Sequence, residues 1–162
     1  MKTVVQSIKD GVLRIVDAPT PVPGPTEVLV ATTRSVVSVG TERAVRELAS
    51  ASLLSKARAR PDLVRQVVAK ARVEGIAATR KALTERLKEE MPLGYSATGR
   101  VVAVGESVSG VSPGDRVATA SAGHGDFQLV PGLLAVPLPD NVDDESAAFA
   151  AVAAIAIQGL RQ

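Results

Sequence analysis

The stretch PLGYSATGRVVAVG, residues 92–105, inserts glycines into a run that is otherwise apolar and β-branched. Most of its residues favour a strand, whereas Gly99 and Gly105 weaken strand formation because they have no side chain to pack. A strand retains such residues where it bends or where another backbone approaches closely. The two glycines therefore predict a small, tightly curved barrel.

Short strand-like runs lie on both sides of this stretch. They are rich in β-branched residues and bounded by Gly, Pro, Asp or Ser. The runs lie at 4–8, 12–16, 27–37, 115–121, 126–132 and 133–139. The four prolines between residues 19 and 25 predict an extended surface connection, because proline cannot donate to a strand ladder. Several short strands at this spacing are typical of a barrel or sandwich.

Residues 41–90 have a different character, with strong helix formers and an apolar period of three and four residues. This pattern predicts three helices, at about 41–57, 61–73 and 76–89. Residues 43–90 hold 12 Lys and Arg against 6 Asp and Glu, a net charge of +6. Such a segment is either a solvated helical face that packs on a partner domain or a surface for an acidic partner. Nucleic acid is disfavoured, because no interleaved aromatic residue or DNA-binding motif accompanies the charge.

A final helix is predicted after Asp143, Asp144 and Glu145, which place negative charge at its positive end. It continues over 147–160 and is apolar nearly all round, so we expect it to be buried. A surface outside these residues would then cover it.

The composition excludes several kinds of site. The 162 residues include no cysteine, which excludes thiol nucleophiles, disulfides and every cysteine-based metal site. They include one histidine, His124. The beginning of the chain alternates polar and apolar residues and lacks the pattern of a signal peptide. The longest apolar run, 147–157, is far shorter than the ~20 residues that cross a bilayer. These features predict a cytoplasmic protein.

Four motifs occur in a recognisable order. They are PxPGPxEVLV at 21–30, LGYSATGRVVAVGESV at 93–108, PGDRV at 113–117 and the Ala-rich helix at 144–160. Together they resemble the N-terminal half of the medium-chain dehydrogenase/reductases, the GroES-like barrel of the zinc alcohol dehydrogenase superfamily. The resemblance covers residues 1–40 and 91–162 and leaves out the helical segment.

The resemblance implies a mainly β fold with α elements: a GroES-like β-barrel with an inserted helical segment at about 41–90 and a C-terminal helix. It further implies a barrel domain over 1–145 and, over 146–162, a helix that connects to a Rossmann-type nucleotide-binding domain. The fingerprint G-x-G-x-x-G is absent from this chain. NAD or NADP would therefore be bound mainly by that second domain, and this chain alone would be inactive.

The resemblance also locates a departure from the zinc enzymes. Tyr95 stands at the position of their histidine ligand, Ser96 at that of their glutamate, and Ser38 at that of their first cysteine ligand. Zinc catalysis needs about three Cys, His or carboxylate ligands around an open position. We therefore expect a zinc-independent oxidoreductase that acts on a carbonyl or alcohol of a small molecule, with saccharide derivatives among the candidates.

Without zinc, another group must handle the proton on the substrate oxygen. The candidate catalytic residues are Tyr95, Thr41, Ser38 and His124. Each hydroxyl could instead be bonded to backbone. His124, between two glycines that would give its loop freedom, suits a proton carrier but is equally explained as an exposed turn residue.

An alternative function remains at this point. The chain could be a non-catalytic GroES-like module whose basic helices bind an acidic partner. Neither interpretation excludes a homo-oligomer.

Overall fold

The computed structural model describes residues 1–40, 43, 58, 61–121 and 123–161. The chain divides into two compact units. The first comprises Met1–Val4, Ile15–Ser38 and Pro92–Gln162, and the second comprises Val5–Arg14 and Val39–Met91.

The first unit is built on a curled antiparallel sheet that forms a half-barrel. Its five strands are β3 (Glu27–Ser35), β5 (Ser96–Val104), β6 (Arg116–Ala120), β7 (Phe127–Pro131) and β8 (Ala135–Pro137). They pair in the order β7-β3-β5-β6-β8. The core between them is aliphatic, and its buried members are Val28, Val30, Ala97, Val101, Val117, Val130 and Ala135. The mainly β, GroES-like fold expected from the sequence is confirmed.

Two glycines of β5 and its end lie where backbones nearly touch. A Cβ atom on Gly99 would overlap the carbonyl oxygen of Ala31 and the side chain of Val30 in the neighbouring strand. A Cβ atom on Gly105 would overlap the carbonyl oxygens of Gly24 and Pro25. Strand β3 also shifts register against β5 at two places, which bends the sheet. The interpretation of these glycines as barrel geometry is therefore confirmed.

A smaller sheet is formed by β1 (Lys2–Ser7), β2 (Leu13–Asp17) and β4 (Glu90–Pro92), in the order β2-β1-β4. The first two strands were predicted at 4–8 and 12–16, and β4 was not predicted. Strand β4 has only three residues, all exposed, and ends in a proline, so it carries no alternating apolar pattern.

In the second unit, α1 (Pro61–Glu74) and α2 (Ile76–Lys88) match the predicted helices at 61–73 and 76–89. Gly75 separates them with a φ of +89°, a conformation that glycine adopts at little cost. The predicted helix at 41–57 lies almost entirely outside the described residues.

The C-terminal helix differs from the prediction in two ways. It is divided into α3 (Asp144–Ala147) and α4 (Ala150–Leu160). The predicted burial is also wrong, because no residue of α4 is buried and Ile155 and Leu160 are 70% and 88% exposed. The physical reason is that α4 packs mainly against β5 and β6 and does so with one end, since only Ala151 and Val152 of this helix are even half-buried. Among the described helices, none combines the length and apolar character that crossing a membrane requires.

Candidate functional site

Three segments of the first unit meet at one end of the half-barrel: the end of β3, the residues before β5, and residues 121 and 123–126. The amide of Val36 donates to the carbonyl of Ser96 over 2.9 Å. The amide of Ser121 donates to the carbonyl of Tyr95 over 2.9 Å, and that of His124 donates to the carbonyl of Leu93 over 2.7 Å. The backbone thus places two of the predicted site residues, Tyr95 and His124, on adjacent, hydrogen-bonded segments.

The loop that carries His124 is fixed, in contrast to the freedom expected from its two glycines. The His124 carbonyl accepts hydrogen bonds from the amide of Val4 at 2.7 Å and the hydroxyl of Thr3 at 3.3 Å. A Cβ atom on Gly125 would lie only 3.1 Å from the carbonyl oxygen of Lys2. The expectation of a free loop is therefore wrong, because this glycine allows close packing against β1.

The His124 side chain is also engaged. Its Nδ1 atom lies 2.9 Å from the hydroxyl oxygen of Ser35, the last residue of β3. The imidazole is half-buried, so His124 is not a fully exposed turn residue. Ser35 was not among the predicted site residues. No sequence signal pointed to it, because the two residues meet only through the pairing of the strands.

Tyr95 has a different environment. It follows Gly94, whose φ of 111° turns the chain into β5, and its side chain is half-buried. Within the described part of the chain, its phenolic oxygen has no hydrogen-bond partner. This hydroxyl can therefore bond a bound molecule without first breaking a bond within the described residues.

Ser96 is committed to the fold. It is 1% exposed, and its hydroxyl donates to the carbonyl of Ala148 over 2.5 Å. Because that hydroxyl donates its hydrogen to a backbone carbonyl, Ser96 does not perform the role of the glutamate that the resemblance assigns to this position in the zinc enzymes. Ser38 is half-buried in the segment that follows β3. Thr41 lies outside the described residues.

A polar cluster that the sequence did not predict fixes the start of α3 to the sheet. The Asp144 carboxylate accepts hydrogen bonds from the Thr33 hydroxyl at 2.7 Å and from the Arg116 guanidinium at 2.6 and 3.0 Å. The Thr98 hydroxyl donates to the Asp144 carbonyl over 3.0 Å. The hydrogen bond from Thr33, followed by that from Arg116, holds the pKa of Asp144 below its usual range. This cluster therefore holds the start of α3 against β3, β5 and β6.

The donor set does not suit a metal ion. Across residues 1–40, 43, 58, 61–121 and 123–161, no three His, Cys, Asp or Glu side chains are close enough together to hold one. By the resemblance, Tyr95 and Ser38 stand at the positions of a histidine and a cysteine ligand, and Ser96, at the position of the glutamate, has its hydroxyl already bonded to a carbonyl. These residues do not fit the zinc centre of the alcohol dehydrogenases.

Solved structures share this fold. A mycobacterial protein complexed with NADPH is 25% identical, with a TM-score of 0.60 over 91% of this chain and 37% of its own. A quinone oxidoreductase from Pseudomonas syringae is 24% identical, with a TM-score of 0.58 over 91% of this chain and 36% of its own. The Escherichia coli quinone oxidoreductase complexed with NADPH is 19% identical, with a TM-score of 0.60 and the same coverage. This chain thus spans little more than a third of the length of these proteins.

At the level of sequence, the alcohol dehydrogenase GroES-like domain matches residues 64–150. The match includes part of the helical segment that the resemblance left out. No curated protein matches the chain. The curled sheet, the glycines that shape it and the match over more than half of the residues agree: this chain belongs to the alcohol dehydrogenase GroES-like domain family, the N-terminal domain of the medium-chain dehydrogenase/reductases.

Proposed function

We propose that this chain is the substrate-side domain of an NAD(P)-dependent, zinc-independent oxidoreductase that acts on a carbonyl or alcohol. The observation that carries the proposal is the placement of Tyr95 and His124 on adjacent segments at one end of a GroES-like half-barrel. Both side chains are half-buried, and both can give a proton or a hydrogen bond to an oxygen atom.

The cofactor is proposed from the neighbours. Two of the similar structures are complexed with NADPH, which supports a nicotinamide cofactor here. This chain has no G-x-G-x-x-G fingerprint to receive a pyrophosphate, so its own residues do not fit dinucleotide binding. We assign that role to a Rossmann-type domain connected through residues 146–162, with the barrel domain at 1–145. The protein would be cytoplasmic, and a homo-oligomer is compatible with the proposal.

When bound by the second domain, a reduced nicotinamide would supply the hydride for reduction of a substrate carbonyl. Negative charge then develops on the substrate oxygen, and the chain's own residues must stabilise it. In our proposal the Tyr95 hydroxyl donates a hydrogen bond to that oxygen, and the His124 imidazole provides the second polar contact. Ser38 and Thr41 are proposed as further contacts from the segment that follows β3. A positioned proton donor of this kind contributes about 10²–10⁴-fold to a rate.

Zinc independence is part of the proposal. It is supported by the residues at the ligand positions and by the hydrogen bond that commits Ser96 to Ala148. Elemental analysis of the purified full-length protein should give far less than one zinc per chain. Stoichiometric zinc that is needed for activity would contradict this part of the proposal.

The central experiment measures oxidation of NADPH and NADH by the full-length protein with a panel of quinones, aldehydes, ketones and oxidised sugar derivatives. Tyr95→Phe should lower kcat for the best substrate by about 10²-fold or more, because it removes one hydroxyl and little else. Ser109→Ala, which changes an exposed hydroxyl, is the matched control and should leave kcat unchanged. The proposal fails if no substrate is reduced, or if Tyr95→Phe behaves like the control.

A second function is supported by the surface of α1. Its exposed face combines apolar and basic side chains, namely Val64, Val67, Val68, Arg65 and Arg72. Such a face could bind an acidic partner, with or without catalysis. Binding to a polyanion should then weaken steeply with ionic strength, and Arg65→Ala with Arg72→Ala should reduce that dependence. Salt-independent binding, or none, would rule this function out.

A further inference from the structure

We propose that Ser35 is a positioning residue for His124: its hydroxyl donates a hydrogen bond to Nδ1 and thereby holds the neutral imidazole in the tautomer with the proton on Nε2. The 2.9 Å separation between the hydroxyl oxygen and Nδ1 carries the proposal. The role of His124 in catalysis rests on the proposed function above, but the hydrogen bond and the tautomer do not.

Ser35 is itself held firmly. Its Cα pairs with that of Ala97 in β5, and the amide of the next residue, Val36, donates to the carbonyl of Ser96. Ala97 is fully buried. The hydroxyl of Ser35 is therefore presented from the end of a paired strand and not from a loose loop.

His124 is held on the opposite side by its backbone. Its amide donates to the carbonyl of Leu93, and its carbonyl accepts from the amide of Val4, both over 2.7 Å. With the main chain fixed on both sides and Nδ1 fixed by Ser35, the ring has little freedom to rotate. An imidazole that serves only as a surface residue needs no such support.

We assign the direction of the hydrogen bond from the donor and acceptor groups of the hydroxyl. A serine hydroxyl has one hydrogen to donate and two lone pairs that accept. Within the described residues, Nδ1 of His124 is the only hydrogen-bond partner of the Ser35 hydroxyl. If the hydroxyl hydrogen is to be used within the described residues, it must go to Nδ1, which then has to be unprotonated. With the hydrogen bond in this direction, the proton of the neutral ring lies on Nε2.

This arrangement has a consequence for recognition. An Nε2–H group is a hydrogen-bond donor, and a substrate carbonyl or alkoxide oxygen is an acceptor. With the opposite tautomer, neutral Nε2 would be an acceptor and would face such an oxygen unfavourably. Under the proposed function, Ser35 would thus decide whether Nε2 is a donor or an acceptor, without touching the substrate itself.

The test uses NMR, since His124 is the only histidine of the chain. Nitrogen-15 spectra of the uniformly labelled full chain, recorded at about pH 9 where an ordinary imidazole is neutral, report the protonation of each ring nitrogen. We expect a pyridine-type Nδ1 and a protonated Nε2 in the natural chain. A predominantly protonated Nδ1 there would overturn the proposal, whatever the activity of the protein.

Variants complete the test. Ser35→Ala should shift His124 toward a mixture of tautomers, Ser35→Thr should restore the Nε2–H form because it keeps the hydroxyl, and Ser109→Ala should change nothing. An unchanged tautomer in Ser35→Ala would overturn the proposal. If Ser35→Ala does not fold, the spectra of the natural chain and of Ser35→Thr still show which ring nitrogen carries the proton and so test the proposal.

Kinetics of the full-length protein separate the two proposals. We expect Ser35→Ala to lower kcat several-fold with little change in KM, and Ser35→Thr to recover most of the loss. A protein that keeps the tautomer and reduces nothing would contradict the proposed function while leaving the role of Ser35 intact. Normal kcat in a Ser35→Ala variant that has lost the tautomer would show that His124 needs no positioning.

Discussion

The hydroxyl of Ser96 donates a hydrogen bond to the carbonyl of Ala148 across 2.5 Å. Ser96 begins β5 directly after Tyr95, and Ala148 lies between α3 and α4. The bond therefore ties the strand that directly follows Tyr95 to the point where the C-terminal helix is divided. An ionised glutamate at position 96 could not donate this bond, because a carboxylate only accepts. The serine at position 96, where the resemblance places the glutamate of the zinc enzymes, thus contributes a hydrogen bond to the fold.

Replacing this hydroxyl should destabilise the fold. Ser96→Ala leaves the Ala148 carbonyl without its donor in a buried place, which costs about 1–3 kcal/mol of the free energy of unfolding. Urea denaturation followed by circular dichroism measures the loss. Ser109→Ala is the control and should fall within about 0.5 kcal/mol of the natural chain. Equal stability of the two variants would show that the Ser96 bond contributes nothing.

Gly99 should not tolerate even one additional carbon. Gly99→Ala would bring a methyl group into the Ala31 carbonyl and the Val30 side chain, so we expect a loss of about 1–3 kcal/mol or more. Gly159→Ala, in α4 with open space around it, is the matched control. It should be neutral or stabilising by about 1 kcal/mol, because alanine favours a helix more than glycine does. The same denaturation experiment compares them, and a harmless Gly99→Ala would argue against the close strand contact.

Asp144 should stabilise the fold in a pH-dependent manner. The hydrogen bonds from Thr33 and Arg116 depress its pKa in the folded state, so its contribution is complete above its unfolded pKa of about 3.9. The contribution is then lost as the pH falls through the folded value. At pH 7, Asp144→Asn should cost about 1.5–3 kcal/mol, since bonds to a charged group are replaced by bonds to a neutral one.

The measurement is the difference in unfolding free energy between the natural chain and Asp144→Asn from pH 7 down to pH 2. Taking the difference removes the other groups that titrate in this range, including Asp143, whose pKa the amide of Ser146 also lowers. The gap should narrow below about pH 4. A gap that stays constant with pH would show that the charge of Asp144 has no role.

The exposure of α4 predicts that a substitution in this helix leaves the stability of the chain almost unchanged. Ile155 is 70% exposed, so Ile155→Ser should change the stability of this chain by no more than about 0.5 kcal/mol. It should also reduce binding of a hydrophobic dye, because it removes part of an exposed apolar surface. A loss above about 2 kcal/mol would mean that the helix is buried, as its sequence suggested.

Local patterns accounted for most of the strands and for both described helices of the second unit. Gly99 and Gly105 predicted the curved barrel because glycine weakens a strand, so a strand that contains it must bend or closely approach another backbone there. The division of the C-terminal helix could not be predicted, because it occurs where a distant serine bonds the Ala148 carbonyl. The burial of that helix was predicted wrongly because an apolar sequence records a preference for burial and not the presence of a covering surface.

The candidate site was predicted in part. The positions of Tyr95, Ser96 and Ser38 followed from the resemblance, and the structure assigns them different environments. The pairs Ser35–His124 and Arg116–Asp144 join residues that are far apart in the chain, so no periodicity or spacing links them. Such contacts arise from strand pairing and from the packing of a helix on the sheet, and they are visible only in three dimensions.

The pairing of β3 with β5 also bears on how the chain can vary. These central strands are adjacent in the sheet, yet the whole of residues 36–95 lies between them in the sequence. The entropy cost of closing a loop rises only with the logarithm of its length, so doubling the intervening segment would cost only about 0.6 kcal/mol. Insertions between residues 41 and 90 should therefore slow folding only modestly while the half-barrel stays intact, and deletions there should not slow it by this effect. The length of this segment should therefore be free to change without loss of the scaffold that presents Tyr95 and His124.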